Sequence, residues 1–280
     1  MLDNFALLRR AGAGGGGFYI CSLDPVEFLG IGHFELCFYE DGNWSEEAFL
    51  LNQLRNPPDR NTLQFTDKVI TLDDEQGVVA FVDLWRGIVI CNVLADGRPG
   101  FYLPLPRELI THGMSYSASL SRDIAIVNGL LTVVSLCTCR HRSGTGCWSW
   151  DLSTWSKPVA RLDDDEEDWH EGFMVDSSDI TVDDATTRNI ELLPKLVGRP
   201  AMARLRLAHP TLSLTDANVV YIMGKVHLSD EKAVVLTVDM ANKRLQSLSV
   251  YDAERLIHDF DYAYTQSTIS QYFTTAAAGV

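Results

Sequence analysis

The chain has 280 residues, 46% apolar and 22% charged. That composition supports one large domain or two small ones with a real core, and it excludes a disordered or collagen-like chain. The net charge of −15 rules out counterion release from a phosphate backbone as the main source of binding energy. No basic stripe offsets it, so nucleic acid is excluded as the expected partner.

From the N-terminus, Leu7 and Leu8 are followed by Arg9, Arg10 and a run of glycines ending at Gly17, which leaves no apolar stretch of the secretory type. Residues 1–17 therefore read as a flexible, Gly-rich segment ahead of a single domain over 18–275. Gly12, Gly14 and Gly17 match the spacing of a dinucleotide loop. That loop needs a strand before it and a helix after it, whereas here a strand-like run, 18–21, follows at once. No cofactor is expected.

Short runs rich in β-branched and aromatic residues then recur: 18–21, 34–39, 68–72, 78–82, 88–94, 101–105, 124–127, 130–136, 148–152, 219–223, 233–240 and 245–251. Between them sit Asp41-Gly42, Asp96-Gly97, Asn128-Gly129, Ser143-Gly144 and Ala241-Asn242-Lys243, several of which supply the positive φ that tight hairpins require. Helical pattern is scarce, confined to 253–258, 268–273 and an ambiguous 190–196. Residues 163–184 hold eleven Asp or Glu and no Lys or Arg, so one segment carries most of the acid excess and reads as a solvated acidic loop.

A repeat is visible by pattern. Residues 77–82, 88–94 and 101–105 form one unit, and 218–223, 233–240 and 245–251 form another in the same order. A looser third copy is 123–127, 129–136, 147–152 and 158–161. Each unit is a meander of roughly 45 residues, the size of a propeller blade. The fold expected is all-β, a propeller-like array of antiparallel meanders with about five or six blades and few short helices.

No membrane span is expected, since the longest apolar runs fall far below the roughly twenty residues such a helix needs. The protein is expected inside the cell, in cytoplasm or nucleus, with its six cysteines reduced and the sequon Asn43-Trp44-Ser45 unmodified. Cys137, Cys139, His141 and Cys147 form the one metal-like cluster, four soft ligands within eleven residues. Cys-x-Cys on a strand points both thiols to one face, so the simpler reading is two strand cysteines beside a hairpin loop. Cys21, Cys37 and Cys91 sit in apolar strands as small core residues. No nucleophile elbow, zinc-binding helix or phosphate loop is present, and no two of the seven histidines stand four residues apart. Trp85 and Arg86 in Asp83-Leu84-Trp85-Arg86-Gly87 are the candidate partner-binding residues, being of the types enriched at binding hot spots. The structural alternative has Trp85 covering the core, Arg86 pairing with an acid and Gly87 permitting the turn.

Three groups of residues carry a family resemblance. The first is Asp83-Leu84-Trp85-Arg86-Gly87-Ile88 with Ile90-Cys91-Asn92-Val93-Leu94 and Leu103-Pro104-Leu105-Pro106. The second is Arg122-Asp123-Ile124-Ala125 with Trp150-Asp151-Leu152 and Thr154-Trp155-Ser156. The third is His209-Pro210-Thr211-Leu212-Ser213-Leu214 with Val219-Val220-Tyr221, Lys232-Ala233, Val238-Asp239-Met240 and Ile269-Ser270-Gln271-Tyr272. Together they resemble the plant domain of unknown function 1618 family, abundant in grasses, over about 18–273. The resemblance implies a propeller-like fold and brings no reaction or ligand. The chain departs from the family pattern at Ala80-Phe81 and Cys91-Asn92, where Gly-Trp and Cys-Asp are common. It also begins almost directly at the Leu-Leu-Arg-Arg segment, which leaves ring closure open. The function expected is a non-catalytic module binding a protein partner. The alternative is an enzyme or small-ligand binder, of hydrolase or sugar-binding type, using a central channel.

Overall fold

A computed structural model describes residues 5–9, 17–26, 32–59, 65–110, 117–140, 148–182, 205–225 and 232–252. Among these the regular elements are strands and single-turn 3-10 helices, and no α-helix occurs. The strands form four antiparallel meanders, one of which gains a short parallel strand. The chain divides into two compact units, residues 1–118 with 158–169, and residues 119–157 with 170–280.

The first unit holds two four-stranded sheets. β1 (Ala6–Arg9), β2 (Phe18–Pro25), β3 (His33–Glu40) and β4 (Asn43–Leu50) lie side by side in chain order, as do β5 (Lys68–Asp73), β6 (Val78–Asp83), β7 (Gly87–Asn92) and β8 (Gly100–Pro104). Strand periodicity explains β3 directly: Phe34, Leu36 and Phe38 are buried while the residues between them are half-exposed. Asp41 and Gly42, both at positive φ, close the β3–β4 hairpin. The central strands β6 and β7 are covered on both faces, so Val79 to Val82 and Ile88 to Ile90 form unbroken apolar runs. Leu8, Leu23 and Leu36 of one sheet share a core with Val79, Phe81 and Val89 of the other. The first strands of the two meanders, β1 and β5, touch.

The second unit repeats the plan. β9 (Arg122–Val127), β10 (Leu130–Arg140), β11 (Trp148–Pro158) and β12 (His170–Asp176) form one sheet. β14 (Arg206–Leu212), β15 (Val219–Lys225), β16 (Lys232–Asp239) and β17 (Arg244–Asp252) form the other, to which β13 (Thr181–Val182) adds in parallel beside β17. Val134, Leu152, Val175, Val220, Ile222 and Leu236 fill the shared core. Again the first strands meet: β9 lies against β14, and the Leu212 N–H donates to Asp123 Oδ2 at 3.0 Å.

All twelve strand-like runs fall on strands, while five observed strands carry no clear pattern. β1 lies inside the segment expected to be a flexible connector; only Ala6 and Leu8 point inward, too short an alternation to register. β4 is an edge strand whose sole fully buried residue is Phe49. β14 carries a bulge between Ala208 and Thr211, with His209 at φ +52°, and Pro210 masked its strand character. The acidic loop expected over 163–184 is strand in part, over nine of its described residues. It contains β12, an edge strand with Val175 alone buried, and β13. In the third repeat copy, the strand expected at 158–161 is instead the end of β11 and a 3-10 turn (Val159–Arg161), and β12 supplies the fourth strand. The helical patterns at 190–196, 253–258 and 268–273 lie outside the described residues.

Leu236→Ala removes a fully buried side chain from the second core and should cost about 3 kcal/mol in urea unfolding. Met174→Ala, on a side chain 60% exposed, should stay within about 0.5 kcal/mol.

Candidate functional site

The turn joining β6 to β7 is built around one carboxylate. Asp83 is fully buried, and its oxygens accept the backbone N–H of Trp85 at 2.8 Å, that of Phe65 at 3.0 Å and Arg86 Nη1 at 2.8 Å. Burying a charge is tolerable only with partners of this kind. The Arg86 guanidinium also lies 6.0 Å from the centre of the Phe65 ring, and its carbonyl accepts the Leu105 N–H. Trp85 is only 8% exposed. Gly87 meets β8 so closely that a Cβ there would overlap the Tyr102 hydroxyl. The two candidate partner-binding residues are thus held together in one turn, with Trp85 covering the core and Arg86 paired to an acid.

A second carboxylate completes the cluster and was not singled out from the sequence. Asp67 precedes β5, its N–H extends the ladder to the Val82 carbonyl, and its Oδ2 accepts the Leu84 N–H at 2.9 Å. Lys68 pairs with Val82, so the register sets Asp67 opposite Asp83. Like charges across a ladder repel. Burial above all, with Asp83 adding to it, pushes the Asp67 carboxyl up to about 6 despite the opposing pull of the Leu84 N–H and Arg86. Burial likewise pushes the Tyr102 phenol up. The signal available in the sequence was the β5–β6 pairing itself, which brings two acids face to face.

Of the metal-like cluster, Cys137 and Cys139 stand exposed on β10, while His141 and Cys147 lie outside the described residues. Partial burial, Asp151 and Cys139 push the Cys137 thiol up to about 11, which keeps it protonated at neutral pH. Among the described residues no group of three or more His, Cys, Asp or Glu is placed to hold a metal ion. Cys21 and Cys91 are buried and their thiols are pushed up to about 12 by that burial, as suits small core residues. Cys37, by contrast, is half-exposed on the outer face of β3.

The acidic run 163–168 belongs to the first unit and is tied down there. Arg55 bridges the outer edge of β8 by backbone hydrogen bonds with Gly100 and Tyr102. Its guanidinium lies over the Phe101 ring and donates to the Asp163 carbonyl at 2.6 Å. Asn56 donates to Asp165 at 2.7 Å, and the Trp169 indole donates to the Pro104 carbonyl at 2.9 Å. The run thereby covers a sheet edge open to strand addition, while Asp163, Glu166 and Asp168 remain exposed.

These features define an all-β protein of successive antiparallel meanders. A family model described as "Protein of unknown function (DUF1618)" matches residues 81–221, just over half of the chain, and the chain belongs to that family. The match spans the Asp83–Gly87 turn, both described cysteines of β10 and the acidic run. No curated protein matches the chain.

Because Asp67 binds its proton more tightly folded than unfolded, the stability it contributes is complete below about pH 4 and lost as pH rises through about 6. Asp67→Asn keeps an acceptor for Leu84 and should match the parent protein at pH 4 while exceeding it by up to about 2 kcal/mol at pH 8. Asp83→Ala strands Arg86 and two N–H groups and should cost about 3–5 kcal/mol at pH 7. Both are read by chemical unfolding.

Proposed function

We propose that the protein is a non-catalytic, β-propeller-type module that works inside the cell by presenting loops and open sheet surfaces to a protein partner. The observation that carries this reading is the repeated plan within each unit. Two successive up-and-down meanders have their first strands side by side, the relation that the inner strands of neighbouring blades have in a propeller. Four meanders are described, against the five or six that the length alone suggested. The strands serve as scaffold, and the side chains left for recognition are those on the connections and outer faces.

The sign of the surface favours a basic partner. Asp163, Glu166 and Asp168 stay exposed on a segment whose backbone is anchored by Arg55 and whose neighbour Asp165 is held by Asn56. A fixed cluster of like charge raises the rate at which an oppositely charged partner arrives more than it raises final affinity.

Affinity capture from grass tissue, the source the family resemblance implies, tests the reading. The full chain should retain a partner saturably at physiological salt. Neutralising Asp163, Glu166 and Asp168 to Asn or Gln should slow association severalfold and flatten its salt dependence, with a smaller change in dissociation. A chain that retains no partner saturably overturns the interaction reading. Equal association rates remove the acidic run from it.

A further inference from the structure

The outer face of the first sheet has an organisation that the scaffold does not need. Strand register places Leu7, Ile20, Tyr39 and Trp44 in one row across β1 to β4. Phe18 stacks on Tyr39 with ring centres 6.0 Å apart, and Tyr39 meets Trp44 at 5.2 Å. Leu7, Phe18 and Trp44 are 65%, 49% and 56% exposed, while the opposite face of the same strands is core. An apolar and aromatic row this open on a soluble sheet marks a contact surface.

Carboxylates line the same face. The next row is Ser22, Cys37 and Glu46, and the one after it is Asp24, Glu35 and Ala48. Asp24 Oδ2 lies 3.9 Å from Cys37 Sγ. Burial pushes the Cys37 thiol up, a hydrogen bond with Ser22 pulls it back, and Asp24, Glu46 and Glu35 each push it up further, so their fields meet at the centre of the face. β2, β3 and β4 contain no Lys or Arg. The arginine that β1 brings, Arg9, is engaged with Asp74.

The inner face of the same two strands indicates the kind of group that belongs there. Phe38 and Glu47 stand diagonally across β3 and β4, and Arg98 fills the position between them. Its guanidinium is 5.6 Å from the Phe38 ring centre and 3.2 Å from Glu47 Oε2. Tyr39 and Glu46 have the same diagonal relation one residue along, on the outer face. Resting on the interaction reading above, we infer that this outer face binds an extended, Lys- or Arg-bearing segment of a partner protein. The cation lies over Tyr39 and Trp44 with Glu46 as its counter-charge, Glu35 adds to the negative field two rows further along β3, and the aliphatic stem runs along Leu7 and Ile20. Charge selects this occupant. A wholly apolar segment would cover Glu35 and Glu46 without compensation, and a second copy would bring the acid-rich face against its own kind.

The test uses the full chain and two synthetic heptapeptides, one alternating Val with Arg and Lys, the other alternating Val with Glu, titrated by calorimetry. The basic peptide should bind and the acidic one should not. Trp44→Ala and the double variant E35Q/E46Q should each weaken the basic peptide at least tenfold, with unfolding midpoints unchanged because all three side chains lie outside the core. Unchanged affinity in these variants, or equal binding of both peptides, overturns the proposal. So does binding that appears only after removal of residues 253–280, which makes the chain's own tail the occupant, or a dimer in sedimentation that Trp44→Ala dissolves. A partner captured equally by parent and Trp44→Ala chains overturns this face and leaves the interaction reading standing. Capture by neither takes down that reading itself.

Discussion

A meander must turn at every strand end, and each turn leaves backbone N–H groups with no ladder partner in reach. In five strands of this chain the last residue takes them up. Asp73, Asp83, Asn92, Asp176 and Asp239 end β5, β6, β7, β12 and β16, and each side chain accepts an N–H two or three residues on, at 2.7 to 3.0 Å. Hydrogen bonds from Ser178 and from Asn242 hold the Asp176 and Asp239 carboxyls below the usual carboxylate range, as expected of acceptors used in their charged form. Asp83 extends the same device into the interior, where it fastens Arg86 and the segment before β5 as well. Four of the 38 acidic residues of the chain thus close turns.

That use of acid explains which parts of the fold were legible in the sequence. Strands buried on one or both faces declared themselves, because Val79, Phe81, Val89 and Leu236 fit only a covered sheet. Asp41-Gly42 and Asn128-Gly129 do adopt positive φ. Edge strands were illegible for the converse reason. β4 and β12 each bury one residue, so nothing constrains the rest to alternate. The run at 163–168 looked like solvated loop because sequence shows its charge and hides Arg55 and Asn56, more than a hundred residues away, which hold it.

The site was legible only in part. Asp83 to Gly87 stood out by residue type, but whether Trp85 faces solvent or core depends on packing between strands, which local pattern does not encode. Asp67 became interesting only once pairing set it opposite Asp83. The outer face of the first sheet was hidden for a related reason. Leu7, Ile20, Tyr39 and Trp44 come from four separate strands, two of them without readable periodicity, and they form a row only through register. Arg98 supplies the internal precedent: on one face of β3 and β4 the aromatic and the glutamate already hold a guanidinium.

The proposed radial order of the meanders bears the weight of the functional account, since it decides which surfaces are scaffold and which are free to bind. Electron density from crystals of the full chain tests it most directly. The account predicts that within each unit the first strands lie side by side, β1 with β5 and β9 with β14, with β4, β8, β12 and β17 turned away from that contact. First strands lying apart within either unit, with other strands in the contact, would contradict it.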